Sequence, residues 1–183
     1  MLLQVLLVCI LALKLDVNMD AQTLSEARQF AEQLIIAREG VRDVVYDDPV
    51  KKSSGLLTAG IGHLLTDQEK KQFPIGSKVP QKTILKWFQQ DFNKAFNAAV
   101  NQAKALGVFD PEFIGTLASV NFQLGPNWFK EHKKTWQLME QGRFPEAAKE
   151  VYNSLWAKQT PVRVHDFAMA LRKVRNRMSP LSP

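Results

Sequence analysis

Cysteine is all but missing from this chain. Cys9 is the only one among 183 residues, which excludes an intramolecular disulfide and any zinc site built from several thiolates, and leaves the redox compartment unreadable from pairing. Histidine is scarce as well. His63, His132 and His165 are too scattered to suggest a ligand set, so no metal and no cofactor is expected. Long hydrophobic runs are absent except at the start. Met1 to Leu13 is apolar apart from Gln4, before Lys14 and Asp16 interrupt it, and thirteen residues fall short of the roughly twenty that span a bilayer. The run fits the apolar region of a secretion signal, although the positive start and small-residue cleavage site of such signals are lacking. Three readings of residues 1–20 stay open: an export or signal-anchor segment with transient membrane association, an extension upstream of a working start at Met19, and a buried N-terminal helix.

What remains has the composition of a soluble globular domain, with 45% hydrophobic and 23% charged residues. Residues 21–183 are expected to form one domain with a core of its own. The formal charge is +6, and residues 161–178 alone carry a net +4 through Arg163, Arg172, Lys173, Arg175 and Arg177 against Asp166. Such a run steers polyanions or is simply a solvated helix face. No base-reading motif or aromatic interleaving accompanies it, so no nucleic-acid partner is expected.

The pattern along the chain is α+β. Leu24, Ala27, Phe30, Ala31, Leu34 and Ile35 recur at helical spacing over Ala21–Arg38, with Thr23 or Ser25 able to cap the start and Gly40 suited to the position past the end. Val41–Tyr46 reads as a strand, Asp47–Gly55 as turn chemistry, and Leu56–His63 as a returning strand with close backbone approach at Gly60 and Gly62. Thr83–Ala105 holds no Gly or Pro and reads as a long helix linking this small β-hairpin lobe to a larger helical one. Further helices are expected over Pro111–Leu124, Pro126–Gln141, Pro145–Trp156 and Pro161–Arg177, the last started by Thr160-Pro161.

Chemistry concentrates between Glu39 and His63. Glu39 falls at the last turn of the first helix, and partial desolvation at such a junction favours the protonated carboxyl that a general acid needs. Asp48, before Pro49 in the turn, would stay ionised as a base, although Asp47 competes with it and turn formation is the plainer role for either. Thr58 lies on the returning strand, where its hydroxyl either serves β-propensity or orients a water. Two carboxyl groups on opposite faces of a sugar are what glycosidic cleavage requires.

The segments Glu39-Gly40-Val41-Arg42, Tyr46-Asp47-Asp48 and Thr58-Ala59-Gly60-Ile61-Gly62-His63-Leu64-Leu65-Thr66 resemble the catalytic region of the phage-type lysozymes, the endolysins of tailed phages. The likeness continues in order through Trp87-Phe88-Gln89-Gln90-Asp91, Asn121-Phe122-Gln123-Leu124-Gly125 and Trp156-Ala157-Lys158-Gln159-Thr160-Pro161-Val162-Arg163, covering roughly Ala27 to Arg175. It implies a lysozyme-like two-lobed fold and inverting hydrolysis of the β-1,4 bond between N-acetylmuramic acid and N-acetylglucosamine in peptidoglycan. By the resemblance Glu39 is the acid, while Asp48 and Thr58 position and activate water. Phe122 and Gln123 line the cleft, Arg163 pairs with Glu39, and His63 meets Asp91 in a structural contact between hairpin and linking helix. Trp156 is either a core aromatic or a stacking platform.

The turn from Pro49 to Leu57, nine residues, is longer than the family's usual one, so that Asp48, Asp47 or neither is aimed into the cleft. Other readings are a lytic transglycosylase, which needs no aspartate-activated water, and a non-catalytic wall-binding protein. The enzyme is expected to act as a monomer on the cell wall. It would wait in the host bacterial cytoplasm before lysis, or at the inner membrane or periplasm if the N-terminal run is an export signal.

Overall fold

A computed structural model describes residues 19–47 and 56–178. Helix α1 spans Ala21–Glu39, and its start is capped by Asp20 rather than by Thr23 or Ser25. Asp20 Oδ1 accepts the Thr23 N–H at 2.6 Å, satisfying one of the donors that the first helical turn leaves unpaired. Ala27, Ala31 and Ile35 form the buried stripe. Gly40 closes the helix at φ 67°, a conformation that costs glycine little, with its N–H on the Ile36 carbonyl. Glu39 is therefore the last helical residue, fixed in direction by the helix and placed at the junction with the small lobe.

That lobe is a three-stranded antiparallel sheet of β1 (Arg42–Asp47), β2 (Leu57–Gly60) and β3 (His63–Leu64), in that order. The sequence pattern suggests two strands. The single strand expected over Leu56–His63 instead turns back at Ile61-Gly62, because Gly60 and Gly62 adopt φ 66° and 67°. Register then assigns the faces. Tyr46 pairs with Thr58 and Thr58 with Leu64, so these three side chains share one side, and alternation sends Asp47, Ala59 and His63 to the other.

Helix α2 (Asp67–Gln72) is not among the elements expected from the sequence pattern, although Thr66 and Glu69 form a reciprocal capping box at its start. Helix α3 (Gln81–Leu106) links the lobes. Its 26 residues give a rod of about 39 Å at 1.5 Å per residue, and it carries Trp87, Phe88, Phe92 and Phe96 into the core. Helix α4 (Pro111–Leu124) is the axis of the helical lobe, buried from Phe113 to Asn121. Its Gly115 is where α1 crosses. A Cβ there would lie 2.6 Å from Phe30 Cδ1 and 3.0 Å from the Ala27 carbonyl oxygen, so only glycine lets the two backbones come so close.

Two expected helices are each broken. Over Pro126–Gln141, a short 3₁₀ turn at Trp128–Lys130 precedes α5 (Lys133–Glu140). The turn swings Trp128 into the core against Phe167 and Trp136, and its indole N–H reaches Gln102, itself paired amide to amide with Asn121. Over Pro145–Trp156, α6 (Phe144–Glu150) gives way to a 3₁₀ turn at Val151–Asn153 and then to α7 (Leu155–Gln159). Ser154 forces the break. Its backbone is extended, and its hydroxyl caps α7 through the Ala157 N–H at 3.1 Å. Helix α8 (Pro161–Met178) closes the fold against α4 and α6. Among the described residues no helix is long and apolar enough to cross a membrane. The apolar run Met1–Leu13, with its three readings, lies outside them.

Candidate active site

A cleft of about 380 Å³ opens between the lobes, lined by Glu39, Tyr46, Thr58, Gly62 and Leu64 on one side and by Phe122, Gln123, Trp156, Thr160 and Arg163 on the other. The small-lobe wall is set by the sheet register, since Tyr46, Thr58 and Leu64 are the cross-strand row. Asp47 belongs to the opposite face and is not among the lining residues. Asp48, and with it the separation of the two expected carboxyl groups, lies outside the described residues.

Glu39 reaches the cleft from the end of α1, with its side chain 19% exposed. Its Oε1 lies 2.7 Å from Nη2 of Arg163, which is 11% exposed. Arg163 stands on the first turn of α8, so this pair joins the two walls. The guanidinium is only partly satisfied: its Nη1 is buried without a hydrogen-bond partner among the described residues. Beside it runs a second bridge of reversed polarity. Arg38 donates through Nε and Nη2 to both oxygens of Asp166, at 2.7 and 2.9 Å, and that contact holds the Arg38 guanidinium above its ordinary pKa. Neighbouring residues on α1 thus grip positions three apart on α8. The family resemblance points only to the inner pair. The outer one has a faint signal in Arg38-Glu39 against Arg163 and Asp166, residues of crossed sign at helical spacing.

Residues 37–176 match the phage lysozyme family, well over half of the chain. The chain belongs to the phage lysozyme family. It is 29% identical over 133 residues to probable T4-type lysozyme 2 of Dictyostelium discoideum, an alignment covering 62% of this chain and 78% of that protein. It is also 28% identical over 122 residues to the peptidoglycan hydrolase gp36 of Pseudomonas phage phiKMV, covering 67% of this chain but only 13% of that protein.

In this phage lysozyme-family chain the far wall of the cleft is a locked amide. Gln123 Oε1 accepts the Trp156 indole N–H at 2.9 Å, and Gln123 Nε2 donates to Thr160 Oγ1 at 3.1 Å. These bonds fix which end of the amide is which, leaving one N–H and one lone pair of Gln123 for a ligand. Trp156 is a core aromatic, 4% exposed and packed on Phe167 and His132. Phe122 packs on Phe88.

His63 stands behind the sheet, away from the cleft. Its Nδ1 is 2.6 Å from Asp91 Oδ2 on α3, its Nε2 is 3.2 Å from Glu69 Oε2 on α2, and its ring stacks on Trp87 at 4.4 Å. Burial alone would lower the imidazole pKa, but the Asp91 and Glu69 carboxylates outweigh it and the net direction is up. Glu69 is not evident in sequence as a partner of His63, because its capping role hides its second one. No cluster of candidate metal ligands occurs among the described residues. The basic run on α8 is partly spent within the molecule, Arg163 on Glu39 and Lys173 on Glu112.

Proposed function

We propose that this chain hydrolyses the β-1,4 bond between N-acetylmuramic acid and N-acetylglucosamine of peptidoglycan, with inversion, and thereby lyses bacteria. Family membership supports the peptidoglycan-hydrolase reading. The observation that carries the chemistry is Glu39, a carboxyl group fixed by a helix end, anchored through one oxygen to Arg163 and presented to the cleft.

In the proposed reaction Glu39 gives its proton to the glycosidic oxygen as the bond from that oxygen to the anomeric carbon breaks. Water attacks the anomeric carbon from the opposite face and loses its proton to Asp48, with the Thr58 hydroxyl orienting it. Inversion calls for carboxyl groups roughly 6.5–9.5 Å apart, leaving room for that water. Arg163 stabilises the Glu39 carboxylate left after transfer, and the remaining N–H of Gln123 is offered to a sugar hydroxyl or acetamido oxygen. Asp48 is assigned by its place after Tyr46-Asp47 and by the turning away of Asp47. His63 and Asp91 act as a structural clamp, and the enzyme works as a monomer.

The test is turnover of purified peptidoglycan by Glu39→Gln, Asp48→Asn and Thr58→Ala, each checked for native melting behaviour. Glu39→Gln and Asp48→Asn should both be inactive. An active Asp48→Asn beside an inactive Glu39→Gln would point to the transglycosylase reading. Wild-type binding without turnover would point to a wall-binding protein.

A further inference from the structure

Gly62 occupies the turn between β2 and β3 at φ 67°, and a Cβ built there would lie 2.8 Å from both Cδ and Oε2 of Glu39. The other carboxyl oxygen, Oε1, is already committed to Arg163 at 2.7 Å. The two oxygens of Glu39 are therefore not equivalent. One is held by a cation, and the one facing Gly62 is left to carry a transferable proton. Gly62 also lines the cleft. A side chain at 62 would therefore press on the face of the Glu39 carboxyl group, its Cβ equally close to Cδ and Oε2.

We infer that Gly62 is a positioning residue, whose missing side chain leaves the Glu39 carboxyl the room it needs to keep its Arg163-bound orientation in the cleft. The inference rests on the reading of Glu39 as the acid. It predicts where the strain of a substitution goes. The atoms in the way belong to the free end of a flexible side chain, so an added methyl group would be relieved by displacing the Glu39 carboxyl rather than by unfolding the turn.

Gly60 supplies a matched control. It lies two residues away at φ 66°, but a Cβ there would meet Ile84 Cγ2 on α3 at 3.1 Å and no atom of Glu39. Gly62→Ala and Gly60→Ala share the cost of a left-handed alanine, and both should melt below the wild type. Only Gly62→Ala should also lose kcat, by about a hundredfold with unchanged pelleting on intact cell-wall sacculi, while Gly60→Ala stays within about threefold of wild type. Turnover by Gly62→Ala equal to that of Gly60→Ala would overturn the inference.

If Gly62→Ala folds but melts too low for kinetics at the assay temperature, the shorter acid carries the test. Glu39→Asp retracts the carboxyl by one methylene, so it should raise the melting temperature in the Gly62→Ala background relative to its effect beside the native glycine. Equal effects in both backgrounds would show that the methyl group does not meet Glu39. Glu39→Gln separates the two levels of failure. Wild-type turnover by that variant overturns the acid assignment and the inference with it, whereas an inactive Glu39→Gln beside an active Gly62→Ala overturns the inference alone.

Discussion

The Arg163–Glu39 contact fixes the proposed acid in the cleft. A planar guanidinium holds one oxygen of Glu39 from a wall that belongs to a different lobe, and lysine offers the charge without the fixed fork. Arg163→Lys should therefore fold but lower turnover by roughly a hundredfold, the scale of a small misplacement at a reacting group. Steady-state kinetics on purified peptidoglycan check this, and a rate within a fewfold of wild type would show that orientation by the fork is dispensable. The two aspartates make a second comparison. Asp47 lies on the face of β1 opposite Tyr46 and Thr58, so Asp47→Asn should retain most activity, whereas Asp48→Asn should retain almost none. The reverse order in the same assay would move the base assignment by one residue.

Between elements, the structure depends on close approaches that fix where the site residues stand. Gly115 is the clearest, because α1 carries Glu39 and α4 carries Phe122 and Gln123. Gly115→Ala pushes Phe30 and the α1 backbone outward, and overpacking of this kind costs about 1–3 kcal/mol, readable as a lower urea midpoint. An unchanged midpoint would mean that the helices part without cost. His63 gives the sheet its pH dependence. Its folded pKa is raised above the ordinary 6.5, so its contribution is full below that value and fades as pH rises through the folded pKa. Burial pushes the Glu69 carboxyl up, but the Thr66 hydroxyl and N–H and the His63 imidazole outweigh it and set it below 4.5; its contribution is lost as pH falls through its folded pKa. The clamp should thus stabilise most between about pH 4.5 and 6.5. Melting curves of wild type against His63→Gln should differ most in that window, and a difference independent of pH would remove the charged clamp from the account.

For the whole molecule, legibility in sequence tracks the range of the interaction. The long linking helix is readable because Thr83–Ala105 has no breaker and a dense apolar stripe, and Glu39 because glycine ends its helix at once. The turn at Ile61-Gly62 is not readable as the start of a third strand, since two residues of β3 carry no period of their own. Helices α5 to α7 depart from the sequence pattern for a related reason. Where Trp128 must reach the core and Ser154 can cap, tertiary packing and local side-chain bonding override a continuous helical pattern. The Arg38–Asp166 bridge joins residues 128 apart in the chain and leaves no more than the faint signal of crossed charges. The site itself is legible mainly through ordered motifs, and the structure adds how register and helix ends assemble them into one cleft. That assembly makes a chemical claim, that one acid and one activated water act on opposite faces of a sugar. It is tested most directly by identifying the first-formed ends of peptidoglycan fragments with mass spectrometry and NMR. The wild type should release reducing N-acetylmuramic acid of α configuration, and Glu39→Gln should release none. Ends of the 1,6-anhydro type, or a β-configured first product, would contradict it.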